Sequence, residues 1–386
     1  MNLKYLLNNL VSKFISKHGI SPVAFVVHTP AGKAIPIGEN PIFEVYLRNQ
    51  AGLKAFKSLN KLKLAEAYLN ADIDVEGDFI KAISFESSLF SDRNIWLKTW
   101  RHLKPRLVGR EKCNPDWIAK HYDSNNIQLF ATDFDYNTYT PGIYKNDEDS
   151  LEVGAERKLA FAFQSLKLKP NYSVLDIGSG WGGFLRYAAR RNVQVTGITL
   201  SHHQKQYVEN LIKENNFNAQ VIYQDFFSFQ PPQKYDGISM MGVIEDLSDY
   251  PKVIKTISNW IKPGGRIYLD FAAKNNSLDT VSFITKYVWP GAFRLVVMPE
   301  FVDAVRNSPF EIVGIHNDRR NYYLWSKGVK ERWEHKKAEI VKHSNEKLWR
   351  TFELLFAGTA SFMENPNYHA TAYRVVLEFP ADFMRD

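Results

Sequence analysis

The stretch VLDIGSGWGG, residues 174–183, constrains this chain more than any other. An apolar run that reads as a strand enters a turn containing Gly178, Gly180 and Gly182, and the helix-like run FLRYAARR follows. Glycine lets a backbone turn sharply and come close to a ligand. A ligand at such a turn lies beyond the carboxyl end of a strand, where open α/β sheets bind. The spacing is G-x-G-x-G, which is not the dinucleotide fingerprint G-x-G-x-x-G. No Lys-Ser/Thr follows, so it is not a phosphate loop.

The text around the turn alternates strand and helix. VQVTGITLS, AQVIYQDF, YDGISMMGVI and RIYLDFA read as strands, and HHQKQYVENLIKENN and YPKVIKTISNWI as helices. This order predicts an α/β fold with a parallel, doubly wound sheet over residues 121–273. Asp176, just before the glycines, suits a cofactor with a positively charged amino acid moiety and no phosphate. S-adenosyl-L-methionine fits that description. QDF at 224–226 ends the third strand and would set Asp225 and Phe226 near an adenine, although Asp225 equally suits a turn or helix cap.

The flanks read differently. Residues 1–92 predict a small α+β domain, with short β runs in AFVVHTPAGKAIPIG and IFEVYLRN and helical segments after them. MNLKYLLNNLVSKFISKHGI has helical apolar spacing and lysines, which fits a helix packed on its own domain or one lying on a membrane. Residues 93–120 form a basic linker with Trp96, Trp100, Arg101, Arg106 and Arg110, suited to a membrane interface or to an exposed connector. Residues 274–386 are expected to cap the sheet. No run of 18 apolar residues is present, which disfavours a membrane span.

A chain of 386 residues at 45% hydrophobic can bury a sizeable core, and 14% aromatics serve that core or a pocket for a long apolar ligand. The formal charge of +7 favours an anionic partner: nucleic acid, an acidic cofactor or an anionic membrane. The single cysteine, Cys113, permits no internal disulfide or cysteine zinc site and fits a reducing cytosol.

Several motifs carry a resemblance. HYDSNNIQLF at 121–130, TYTPGIY at 138–144, LDIGSGWGG, GITLSHHQ, FITKYVWPGAF at 283–293 and the early AEAYLNADIDVEGD are together similar to the cyclopropane fatty acid synthase family, which includes the mycolic acid methyltransferases. The resemblance implies a class I S-adenosylmethionine-dependent methyltransferase (Rossmann-like) domain over 121–386 with a C-terminal lipid-binding cap. It implies that domain 1–92 is associated with lipid or substrate. The cofactor set carried over is Tyr122, Tyr139, Thr140, Gly178, Gly180, Thr199, Leu200, Gln204, Asp225 and Phe226. The implied substrates are unsaturated acyl chains of phospholipids. The implied location is cytoplasmic, at the inner face of the membrane, with a homodimer left open. No N-P-P-Y-type motif or zinc site supports a nucleic-acid methyltransferase.

The chain departs from that family where it matters chemically. In the family an alkene takes a methyl group, and a bound bicarbonate held by a Cys, a Glu, a His and a Tyr removes a proton so that a ring closes. Here Pro141 stands at the Cys position, Glu245 at the Glu, Asp270 at the His, and Asp246 at the His after the Glu. The Tyr position falls on Tyr322, on Tyr323 or on neither. Two acids close together repel an anion. Either one carboxyl is protonated or the site binds no anion. The expected catalytic residues are Glu245, Asp270 and Tyr322, with no metal, since acids without a His hold one poorly. The expected activity is C-methylation of an acyl double bond giving a methylated or methylene product. The alternatives are ring formation with a rearranged base, and a lipid- or cofactor-binding homologue without turnover. Trp181 packs on a cofactor or on the first helix. Phe283, Tyr287, Trp289 and Phe293 form a core helix or the wall of an acyl channel. His121, His202, His203 and His316 carry no catalytic assignment.

Overall fold

The computed structural model describes residues 2–89, 128–133, 135–247, 249–274, 282–289, 295–365 and 370–382. The basic linker, Cys113, His121, Tyr122 and Phe293 lie outside the described residues. The chain divides into two compact units, Met1–Arg101 with Glu334–Asn365, and His102–Trp333 with Pro366–Asp386.

In the first unit, helix α1 (Leu3–His18) starts on Asn2, whose side chain accepts the Lys4 N–H, and stops at Gly19 in the left-handed region. Its Leu3, Leu6, Leu7 and Leu10 are buried with Phe25, Val27, Phe43 and Leu47. The amphipathic N-terminus thus packs on its own domain. Strands β1 (Phe25–His28), β2 (Ala34–Ile37), β3 (Phe43–Leu47) and β4 (Ile73–Gly77) pair in the order β2-β1-β3-β4. Helices α2 (Gln50–Ser58), α3 (Lys61–Leu69) and α4 (Phe79–Leu89) complete the N-terminal part. The two later helices Lys337–His343 and Glu346–Glu364 belong to this unit as well. Arg350 reaches Asp74 at 2.6 Å, and Tyr68 donates to the buried Glu353. The single catalytic domain read over 121–386 is therefore interrupted: an amphipathic pattern shows which face of a helix is buried but not against what.

In the second unit, helix α5 (Leu151–Ser165) precedes β5 (Ser173–Ile177), α6 (Gly183–Ala189), β6 (Gln194–Thr199), α7 (His202–Asn215), β7 (Ala219–Tyr223), β8 (Tyr235–Met241), α8 (Tyr250–Trp260) and β9 (Ile261–Lys274). These strands are parallel neighbours in the order β7-β6-β5-β8-β9. Every residue of β5 is buried, as expected for a central parallel strand covered on both faces. The strand order reverses between β5 and β8, which opens a crevice at their carboxyl ends.

The C-terminal half does more than cap this sheet. After β10 (Val296–Val297) and α9 (Met298–Arg306) come β11 (Glu311–Asn317), α10 (Arg319–His335) and β12 (Ala370–Glu378). Strand β12 inserts antiparallel between β9 and β11, so the sheet runs on as β9-β12-β11. The segment KPGG, residues 262–265, lies within β9, where the pairing with β8 shifts register between Tyr235 and Gly237.

Candidate active site

The glycine turn has the geometry its sequence demands. Gly178, Gly180 and Gly182 have φ of 68°, 53° and 78°. At Gly178 a Cβ would lie 2.4 Å from Val243 Cγ2, whereas at Gly180 nothing lies nearer than 3.9 Å. Gly178→Ala is accordingly expected to cost about 1–3 kcal/mol, because left-handed strain adds to a clash with a β-branched, stiff side chain. It should also weaken S-adenosylhomocysteine binding in calorimetry more than Gly180→Ala does; equal effects would contradict the turn geometry.

Beyond this turn lies a cavity of about 360 Å³. Tyr139, Thr140, Gly178, Gly180, Thr199, Leu200, Gln204, Asp225 and Phe226 all line it, from segments far apart in the sequence. One wall is the segment Asn137–Thr140, held in place because Asn137 Oδ1 accepts from Arg186 and Tyr207 and Asn137 Nδ2 donates to the Thr132 carbonyl. A second wall is the β6–α7 turn, where Thr199 Oγ1 donates to Gln204 Oε1 at 2.8 Å and Ser201 caps α7. Asp225 Oδ1 accepts from Phe227 N and Ser228 Oγ, so it shapes its turn and lines the cavity at once.

Several buried polar groups line the cavity. Ser239 donates to Asp176 Oδ1 at 2.5 Å, while Asp176 Oδ2 is buried without a partner. Ser179 Oγ, Thr138 Oγ1 and Trp181 Nε1 are buried without partners too. Burial pushes the Asp176 carboxyl up to about 7, against the Ser239 hydrogen bond and the nearby Lys158 charge. A buried acceptor and buried donors in a cavity also lined by Phe226 and Phe227 match a zwitterionic amino acid joined to a planar base. Trp181 lines the cavity, and its ring meets Tyr207 of α7, not the first helix, edge-on at 5.3 Å.

A second, smaller cavity of about 30 Å³ adjoins the first through Thr140 and Gly242, which line both. Its other walls include Pro141, Glu245, Asp270, Asp318 and Tyr322. Asp270 stands within β9, opposite Met241 of β8 and opposite Arg374 of β12. Glu245 stands in the helical turn after β8, and its Oε1 accepts the Ala272 N–H at 2.8 Å. Tyr322, rather than Tyr323, faces the cavity, while Asp246 lines the first cavity.

The acids differ in their surroundings. Glu245 Oε2 is enclosed without a partner, and burial pushes the carboxyl up to about 8, so it is mostly protonated at neutral pH. Asp270 Oδ2 lies 3.5 Å from Lys158 Nζ and accepts from Tyr268 at 3.3 Å. Burial raises Asp270 and the lysine opposes that rise; burial lowers Lys158 and Asp270 opposes that fall. Asp318 is paired with Arg374 at 2.6 Å. Burial raises the Tyr322 phenol, as do the fields of Glu245 and Asp270. The aspartate at the His position is thus not left bare, as its sequence context implied. Lys158 was the residue missed. Its signal is its place on the buried stripe of α5, with Leu151, Ala155, Leu159 and Ala162, where an apolar residue is expected.

The remaining expectations fall outside the two cavities. Phe283, Tyr287 and Trp289 line neither. His202 stacks on Tyr223 at 3.8 Å, and His316 meets Phe161 edge-on. Among the described residues no cluster of His, Cys, Asp and Glu has a metal-binding arrangement, and no helix is long and apolar enough to cross a membrane.

Strand order, glycine turn and crevice together define the class I methyltransferase fold. The sequence pattern of the mycolic acid cyclopropane synthetase family matches residues 110–371, and the chain belongs to that family of S-adenosylmethionine-dependent methyltransferases. The chain is 28% identical over 253 residues to "Probable fatty acid methyltransferase Rv3720" of Mycobacterium tuberculosis, a match covering 62% of this chain and 58% of that protein. A sphingolipid C9-methyltransferase of Komagataella phaffii is 23% identical over 83% of this chain and 71% of its own length. Among solved structures, the mycolic acid cyclopropane synthase CmaA1 complexed with SAH and CTAB superposes with a TM-score of 0.63, covering 69% of this chain and 99% of that one at 18% identity. That likeness is one of fold.

Proposed function

We propose that this protein transfers a methyl group from S-adenosylmethionine to a double-bond carbon of an unsaturated fatty acyl chain of a phospholipid, giving a methylated or methylene product. The carrying observation is the second cavity, which shares Thr140 and Gly242 with the first and is lined by Glu245, Asp270, Asp318 and Tyr322 but, among the described residues, by no lysine, arginine or histidine. The related fatty acid and sphingolipid methyltransferases support an acyl substrate. Such a substrate would bring the enzyme to the membrane surface as a peripheral protein.

In this reading the first cavity holds the cofactor on Tyr139, Thr140, Gly178, Gly180, Thr199, Leu200, Gln204, Asp225 and Phe226, with Asp176 accepting from the ammonium group. Bound there, the cofactor supplies an electrophilic methyl on a sulfonium. The alkene needs no base to accept it. The positive charge then left on the acyl chain is quenched by loss of one proton to a group in the second cavity. Protonated Glu245 is a hydrogen-bond donor at neutral pH, which leaves Asp270 as the acceptor. Among the described residues no cation lines this cavity to hold a bicarbonate, since Lys158 is engaged by Asp270 and Thr140. This argues for proton loss to the protein itself.

The test is incubation of the full chain with labelled cofactor and vesicles of unsaturated phosphatidylglycerol or phosphatidylethanolamine, followed by mass spectrometry of the acyl chains. A gain of one methylene carrying the label is expected. Cofactor binding without label in any lipid would sink the proposal and leave a binding protein.

A further inference from the structure

Lys158 is 1% exposed and lines neither cavity. Its Nζ donates to Thr140 Oγ1 and lies 3.5 Å from Asp270 Oδ2. These two partners both face the second cavity, and Thr140 faces the first as well. The charged and titratable groups around the lysine are Asp270 and Tyr268 on β9, Asp176 on β5, Asp318 ahead of α10 and Arg374 on β12. A lysine this deep is costly without a task or a partner.

We propose that Lys158 is a positioning residue of the active site, holding the Asp270 carboxyl as the proton acceptor of the second cavity and fixing the Thr140 hydroxyl where the two cavities meet. This rests on the methyl-transfer reading above. Because the lysine donates to Thr140 Oγ1, the hydroxyl hydrogen of Thr140 must point elsewhere and is available at the junction. The lysine and Asp270 together are neutral whichever of them holds their shared proton. Burial weakens the amine and strengthens the conjugate base of the acid, which brings their proton affinities together.

The charge balance favours this pair. A methyl cation enters the acyl chain from the sulfonium, leaving a neutral thioether. The alkene's π pair makes the bond to that methyl and leaves a carbocation; a C–H bond beside it then breaks, its electron pair forms a carbon–carbon double bond, and the proton goes to Asp270. The site carries one positive charge before and after, first on the sulfonium and finally on the protonated Asp270–Lys158 pair. The lysine opposes the rise that burial causes in Asp270, so without it the carboxyl holds its own proton more tightly and is a poorer acceptor.

The experiment measures methyl transfer to unsaturated phospholipid vesicles against pH for wild type, Lys158→Met and Lys158→Arg, with S-adenosylhomocysteine affinity measured alongside. Lys158→Met is expected to lower kcat by about 100-fold, within the range of a positioned proton acceptor. Its acid limb should move to higher pH by about one unit or more, since loss of the cation raises Asp270. Lys158→Arg should restore the wild-type pH profile. A uniform rate loss with an unmoved profile would mark Lys158 as structural and overturn the proposal. If Lys158→Met loses its thermal transition, Lys158→Met/Asp270→Asn buries no unpaired charge and takes its place. It should be no slower than Asp270→Asn alone, because a residue acting through Asp270 adds nothing once Asp270 is gone. A further large loss in the double variant would overturn the proposal. Absence of transfer by wild type overturns the methyl-transfer reading, and this inference with it.

Discussion

Asp270→Asn is expected to lower the rate of methyl transfer by about 10²- to 10⁴-fold, the usual contribution of a positioned acid or base. Asn is nearly isosteric and can still accept from Tyr268, so the local geometry within β9 should persist. Lys158 loses its counter-charge in this variant, but a buried amine answers by giving up its proton rather than by unfolding the site. Affinity for S-adenosylhomocysteine should change little, because Asp270 lines the second cavity and not the first. The measurement separates kcat from cofactor binding. A variant that turns over at the wild-type rate would remove Asp270 from the chemistry and return Glu245 to consideration.

The second large effect concerns the cofactor. Asp176→Asn should weaken S-adenosylhomocysteine by roughly 10- to 100-fold, corresponding to about 1.5–3 kcal/mol for a hydrogen bond to a charged group. The pH dependence gives a sharper sign. Burial holds Asp176 at about 7 in the free protein. Its ionised form is the one that receives an ammonium group, so below that pH binding must first expel a proton. Affinity should therefore rise about tenfold from pH 6 to pH 8 and level off above, as linkage requires. Asp176→Asn should lose this dependence. Calorimetry at several pH values decides it, and an affinity that falls as pH rises would contradict the role of Asp176.

The lining of the first cavity was almost completely legible in the sequence, for a physical reason. Positive φ at Gly178 and Gly180, an acid at the end of β5 and turns after β6 and β7 are all local requirements, and local requirements leave residues at fixed spacings. The acid cluster was legible as residues but not as electrostatics. Glu245 and Asp270 could be named from the family pattern, yet the cation beside Asp270 comes from α5, whose connection to β9 exists only in the folded sheet. Lys158 betrays itself in the sequence only as a charge on a stripe that should be apolar. The antiparallel insertion of β12 was illegible for a similar reason: a run of buried residues marks a strand but not the edge it will join. The packing of Glu346–Glu364 with the first unit rests on the partners of Arg350 and Glu353, likewise remote in sequence.

The central claim is that a protein carboxyl, rather than a bound bicarbonate, takes the proton lost after methylation of an acyl double bond. The most direct measurement is the rate of label transfer from S-adenosylmethionine to unsaturated phospholipid in buffer stripped of carbon dioxide, then with bicarbonate restored, with the product examined by proton NMR. The same rate is expected in both buffers, with a methyl- or methylene-bearing chain. A rate that depends on added bicarbonate, with the high-field proton signals of a cyclopropane ring, would contradict the claim.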